Sequence, residues 1–254
     1  MSESVGLPAI KTVGLSAPFV WLGEGWRDLM KAPGPLLVYG LGVAIVSFAL
    51  CFGVYATNGA FWAMALTAGF VIVAPLIAMG PYEAGRRLDQ GERPGLGQVL
   101  LVRSALRQDI AYLGLLLVLL YFLWGRIAQI VYGLSTYQVH HDMASLAAFA
   151  VGSSEGHVML LTGTITGGVL AFVTYALVVV SAPMLLNPNA NAFAAVATSV
   201  RAVNANFFPL LLWAAIITAL LLLSAATGFL ALVVIFPWLG LSSWRAYRSL
   251  VEDS

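Results

Sequence analysis

Arg27-Asp28-Leu29-Met30-Lys31-Ala32-Pro33-Gly34-Pro35-Leu36-Leu37-Val38-Tyr39 recurs downstream as Arg201-Ala202-Val203-Asn204-Ala205-Asn206-Phe207-Phe208-Pro209-Leu210-Leu211-Leu212-Trp213, with the same interval from arginine to proline. Each copy opens a long apolar run. A second frame occurs three times, as Val71-Ile72-Val73-Ala74-Pro75-Leu76, Val179-Val180-Ser181-Ala182-Pro183-Met184 and Val233-Val234-Ile235-Phe236-Pro237-Trp238. Three copies of one ending imply three copies of one unit, and internal repetition decides a fold before any single element does. The sequence therefore predicts an all-α membrane protein with six transmembrane helices arranged as three parallel repeats. Each repeat, at about 19–90, 95–190 and 191–250, is read as an interfacial amphipathic helix followed by a two-helix hairpin.

Composition agrees with that reading. Hydrophobic residues make up 61% of the chain and charged residues 9%, at a mean hydropathy of +0.93, far from the balance of soluble domains. A hydrocarbon core of about 30 Å takes about 20 apolar residues per helix. Segments 36–55, 61–81, 110–132, 160–186, 207–226 and 228–243 meet or approach that length. A flexible cytoplasmic N-terminus over 1–18 and one integral membrane domain over 19–251 are expected. Met1 to Ala17 has no basic cluster leading into a short apolar core and cleavage site, so the first true helix is expected to drive insertion.

Basic residues set the orientation. Lys11, Arg27, Lys31, Arg86, Arg87, Arg93, Arg103, Arg107, Arg201, Arg245 and Arg248 all flank one side of the expected spans, which places both termini in the cytoplasm. The same rim favours anionic lipid headgroups as partners. Nothing in the sequence points to nucleic acid. Cys51 is the only cysteine, which excludes an internal disulfide and a cysteine metal site.

In the first repeat Leu22, Trp26, Leu29 and Met30 share a helical face; in the second Leu96, Val99, Leu100 and Leu106; in the third Phe193, Val196, Val200 and Val203. These helices are expected to lie in the interface plane. Trp21, Trp26, Trp124 and Trp213 are candidates for bilayer anchoring or partner contact.

Three groups of residues are candidates for function. Pro75, Pro183 and Pro237 each free the carbonyl four residues back, at Val71, Val179 and Val233. Such carbonyls either line a polar pocket or simply accompany helix kinks that aid packing. Arg126, in Trp124-Gly125-Arg126 with Gln129 one turn on, is the only charge well inside an expected span. It reads either as a ligand or partner contact or as a side chain snorkelling to the headgroups. Backbone carbonyls, Asn58 and the hydroxyls of Thr162, Thr164 and Thr166 are its expected partners. His140, His141 and His157 fall in one outward loop near Asp142 and Glu155, a candidate metal site weighed against a plain polar loop.

No histidine lies in an expected span, so no haem cofactor is implied. No phosphate-binding glycine loop, nucleophile elbow or His-Glu-x-x-His motif occurs. Gly163, Gly167 and Gly168 read as small residues that permit close helix contact. The expectation is a non-enzyme, with no cofactor.

Gly25-Trp26-Arg27-Asp28-Leu29, Pro33 to Gly40, Pro81-Tyr82-Glu83 with Arg86-Arg87, Trp124-Gly125-Arg126, Pro183-Met184-Leu185 and Trp244-Arg245-Ala246-Tyr247-Arg248 together resemble domain-of-unknown-function family 2189 of predicted bacterial integral membrane proteins. The resemblance runs from about Phe19 to Val251 and implies a bacterial inner membrane location without a settled activity. Members of that family often carry aspartates after the Pro-Met-Leu element and a histidine before the closing tryptophan motif. Here Asn187, Asn189 and Asn191, and then Leu241 to Ser243, stand in those places. Some relatives carry names linked to cytochrome oxidase subunits, a core haem role that the missing intramembrane histidines contradict.

Two functions follow as expectations. The first is a non-catalytic accessory, assembly or scaffolding subunit of a larger membrane complex, a respiratory complex being one setting, with membrane-protein subunits as partners. The second is a small transporter, channel or lipid-binding protein that uses the proline-kinked helices and Arg126.

Overall fold

In the computed structural model, residues 7–56, 72, 74–102, 107–136, 138, 140 and 142–252 are described. Among them the chain is helical, apart from an isolated antiparallel bridge between Ile10 and Val251. In chain order the helices are α1 (Ala17–Lys31), α2 (Pro33–Ala56), α3 (Met79–Asp89), α4 (Leu96–Leu100), α5 (Gln108–Ser135) and α6 (Met143–Gly152). They continue as α7 (Ser154–Val178), α8 (Ser181–Met184), α9 (Ala192–Ala205), α10 (Phe207–Ala226) and α11 (Leu232–Leu250).

Four helical stretches among the described residues are long and apolar enough to cross a membrane: Pro33–Gly53, Gln108–Ser135, Ser154–Met184 and Phe207–Ala226. They answer to four of the six expected spans. The expected span 61–81 lies outside the described residues except for 72 and 74–81. The segment expected at 228–243 instead opens with a turn, in which Gly228 has φ 61° and Phe229 φ 68°, and forms a helix only from Leu232. That turn is a Schellman cap: Phe229 N–H donates to Ser224 O at 2.8 Å and Gly228 N–H to Ala225 O at 3.0 Å. The helix that follows runs on through Arg245 and Arg248, and most of its residues are buried against protein.

The chain divides into two compact units. The first comprises Met1–Ile45, Pro75–Leu113 and Tyr175–Ser254; the second comprises Val46–Ala74 and Gly114–Thr174. In the first, α11 packs against α1, α3, α8 and α10. Its core gathers Leu29, Ala32, Leu36, Ala84, Val99 and Leu241. In the second, Leu146, Ala150 and Met159 pack with Val131, Tyr132 and Phe149.

Short breaks aim the helices. Pro18 sits in the first turn of α1, where its missing N–H costs nothing, and Lys31 in the last turn complements the helix dipole. Ala32 then leaves the helical region, at φ −144° and ψ 58°, because Pro33 disfavours α geometry in the residue before it. Asn206 makes a similar break between α9 and α10, at φ −129° and ψ 41°. Its side chain holds the N-terminal segment: Oδ1 accepts from Val13 N–H at 2.7 Å and Nδ2 donates to Lys11 O at 3.0 Å. Lys11 N–H in turn donates to Leu250 O at 2.9 Å. Hydrogen bonds thus hold residues 9–13, and α1 starts at Ala17.

The residues that the short helices bury within the protein coincide only in part with their apolar faces. In α1 the inward residues are Trp21, Gly25, Asp28 and Leu29, while Trp26 and Met30 are exposed. In α9 they are Ala195, Thr198, Ser199, Ala202 and Val203, while Phe193 is 86% exposed. In α4 Val99 is buried, with Leu96 and Leu100 exposed. Leu106 lies outside the described residues. Trp21 and Trp213, expected as anchors, are buried and meet edge to face at 5.8 Å.

Candidate functional site

Charge in the first unit is concentrated where α1, α3 and α11 meet. Asp28, on the inward face of α1, is 2% exposed. Its Oδ2 accepts from Arg245 Nε at 2.6 Å, and its Oδ1 from Lys31 Nζ at 2.7 Å. Arg245 Nη1 reaches Asp89 Oδ1 at 2.7 Å, and Trp244 Nε1 donates to Asp89 Oδ2 at 2.8 Å. Burial alone lowers the pKa of the Arg245 guanidinium, but pairing with Asp28 and Asp89 outweighs it and the net shift is upward. Beside this cluster, burial pushes the Tyr82 phenol well above its usual range, against a smaller opposing effect from its hydrogen bond with Ser243.

Glycines let these helices approach. A methyl group on Gly25 would lie 2.1 Å from Ser242 Oγ, one on Gly85 2.6 Å from the Trp244 ring, and one on Gly240 2.5 Å from Pro81 Cβ. The contacts join α11 to α1 and to α3. They are the small-residue packing expected of membrane helices.

A second ion-pair cluster lies on α3. Glu83 is 4% exposed and holds two arginines: Arg86 donates to it through Nε and Nη2 at 2.7 Å each, and Arg87 through Nε at 2.8 Å. The hydrogen bond to Glu83 raises the pKa of Arg86. Arg87 Nη1 also reaches Glu92 at 2.8 Å. Glu83, Arg86, Arg87 and Gln98 line an open cavity of about 580 Å³, whose apolar lining is Leu101, Val102, Leu186 and Pro188.

Arg107, which sequence reading placed only in the basic rim, fixes part of that lining. It donates to the carbonyls of Leu185, Asn187, Pro188 and Ala190 at 2.7–3.2 Å. Asp109 completes the clamp by accepting from Ala192 N–H at 2.9 Å. Asn187 and Asn191 work within this turn. Asn191 caps α9 by accepting from Ala194 N–H at 2.8 Å, and Asn187 Oδ1 accepts from Asn189 N–H at 3.1 Å.

Each proline break has its own surroundings. Between α7 and α8, Ser199 Oγ accepts from Val180 N–H at 3.1 Å and donates to Ala176 O at 2.8 Å, bridging the break before Pro183. Near Pro237, the carbonyl of Val233 is covered by Gly40: a methyl there would lie 2.1 Å from that oxygen. Pro75 lies in the helical stretch 74–77, and Ile77 O accepts from the Tyr39 hydroxyl. Val71 lies outside the described residues.

In the second unit Arg126 is exposed, and its Nη1 donates to Gln129 Oε1 at 3.0 Å on the same helix. Thr166, one of its expected partners, donates to Thr162 O at 2.8 Å. Asn58 lies outside the described residues. The Trp124 ring packs on Gly167, where a methyl would approach it to 2.7 Å. Gly163 and Gly168 make no such close contact.

His140 Nδ1 is 2.9 Å from the Tyr132 hydroxyl, and its ring stacks on Phe149 at 4.7 Å. His157 Nε2 is 3.0 Å from Val151 O. His141 lies outside the described residues. Among the described residues no group of three or more histidine, cysteine, aspartate or glutamate side chains is placed to hold a metal ion.

Residues 63–187 match the family model described as predicted integral membrane protein (DUF2189). The matched stretch contains Pro81-Tyr82-Glu83, Arg86-Arg87, Trp124-Gly125-Arg126 and Pro183-Met184-Leu185, and it is shorter than the 19–251 read from the sequence. No curated protein and no solved structure matches the chain. Over residues 63–187, the chain is similar to the DUF2189 family of predicted integral membrane proteins.

Proposed function

We propose that this integral membrane protein is a non-catalytic accessory or scaffolding subunit of a larger bacterial inner-membrane complex, a respiratory complex being one such setting. Its proposed architecture is six spans in three parallel repeats, with both ends of the chain in the cytoplasm. The observation that carries the reading is the junction of α1, α3 and α11, where Arg245 neutralises the buried Asp28 and also pairs with Asp89, and glycines bring helices into contact. Such a junction favours a fixed framework over a moving one. The Ile10–Val251 bridge supports a common side for the two chain ends. The breaks at Ala32 and Asn206, each between a short amphipathic helix and a candidate span, support the repeat.

The test is purification from native membranes in mild detergent, with identification of what remains bound. A stoichiometric membrane-protein partner is the expected result. A homogeneous single species with solute or lipid beside Arg126 would instead favour the transport reading. Replacing Arg126 by Leu separates the roles further: unchanged assembly and growth are expected of a side chain whose one hydrogen-bond partner among the described residues is Gln129.

A further inference from the structure

We propose that the cavity beside α3 is a binding site for the phosphate of an anionic phospholipid headgroup, held by Arg86 and Arg87. The two guanidiniums are pre-positioned by one buried carboxylate, since Glu83 accepts from both at 2.7–2.8 Å. Each commits two N–H groups to carboxylates and keeps the rest of its planar fork for a ligand. Planar forks of this kind suit phosphate oxygens. Gln98 adds a polar side chain to the same cavity.

The rest of the cavity selects an amphiphile over a free ion. Leu101, Val102, Leu186 and Pro188 form its apolar lining, and the space of about 580 Å³ greatly exceeds what a lone phosphate fills. Leu186 and Pro188 follow directly on the candidate span Ser154–Met184. The cavity therefore lies at the end of a span, at headgroup depth. Arg107 fixes part of that lining through the carbonyls of Leu185, Asn187 and Pro188, so it is built before any ligand arrives. Glu83 and Glu92 balance Arg86 and Arg87 in charge. The N–H groups that the two arginines leave uncommitted suit an anionic headgroup, whereas the choline cation of a zwitterionic lipid finds the two guanidiniums as neighbours.

Native mass spectrometry of the full-length protein in mild detergent tests the site with three probes: phosphatidylglycerol, phosphatidylcholine and inorganic phosphate. Phosphatidylglycerol should be retained over phosphatidylcholine. Arg86→Lys keeps the charge beside Glu83 but removes the fork, and should weaken phosphatidylglycerol by about tenfold, the effect of one charge-assisted hydrogen bond. Leu101→Trp fills the apolar lining at a position 78% exposed, leaves every ion pair in place and should have a similar effect. It decides the matter alone if Arg86→Lys fails to fold. Equal retention of the two lipids, or phosphatidylglycerol binding that survives either folded variant, overturns the proposal. Displacement of the lipid by equimolar inorganic phosphate also overturns it, by making this a free-phosphate site.

Discussion

Gly40 and Gly42 stand two positions apart on α2 in opposite surroundings. A methyl on Gly40 would lie 2.1 Å from Val233 O, whereas nothing lies within 4 Å of one on Gly42. Gly40→Ala should therefore lower stability by about 1–3 kcal/mol through overpacking. Gly42→Ala should be neutral or slightly stabilising, because alanine is the better helix former. Unfolding midpoints in detergent check the pair. A larger effect is expected at Asp28: Asp28→Asn leaves Arg245 short of a buried partner and should cost about 3–5 kcal/mol, the range for breaking a buried ion pair from one side. The same measurement reads it, with Glu24→Gln on the same helix as the surface control.

At the scale of elements, the α7–α8 break depends on a helix distant in sequence. Ser199→Ala removes both hydrogen bonds that bridge Ala176 and Val180, leaving buried backbone groups unpaired. A loss of about 1–3 kcal/mol is expected, with faster amide exchange at Val180. α6 carries the pH-dependent cap. Hydrogen bonds from the Ser145 N–H and hydroxyl hold the Asp142 carboxyl below its ordinary pKa of 3.8. A depressed folded pKa means that the cap stabilises α6 above that ordinary value and is lost as pH falls through the lower folded one. Amide exchange at Ser145 should accelerate across that acid window, and Asp142→Asn should flatten the response.

Spans such as 110–132 and 207–226 were legible because length and apolar composition alone specify them, and the end of α1 because Pro33 forbids continuation. The inward faces of α1 and α9 were not. Apolar periodicity gives weight to large side chains, and here Trp26, Met30 and Phe193 are the exposed ones. The contacts that hold the first unit run through Gly25, Ser199, Ala202 and a paired Asp28, which such a pattern reads as weak or polar. The Arg107 clamp was hidden for another reason. Its acceptors are backbone carbonyls at Leu185 to Ala190, and backbone carbonyls leave no mark in a sequence.

For the whole molecule, the central proposal is that α11 crosses the bilayer although it carries Arg245 and Arg248, which would return the end of the chain to the side of Asn206. The Ile10–Val251 bridge and the Lys11–Leu250 hydrogen bond place the two ends together whichever side they occupy. Thiol labelling in sealed, oriented membrane vesicles, with Cys51→Ser as background and single cysteines introduced as Gln90→Cys, Thr227→Cys and Glu252→Cys, decides the matter. Gln90→Cys and Glu252→Cys should react from the cytoplasmic side and Thr227→Cys only from the opposite one. Labelling of Glu252→Cys and Thr227→Cys from the same side would contradict the account, since α11 would then not span and the threefold repeat would fall with it.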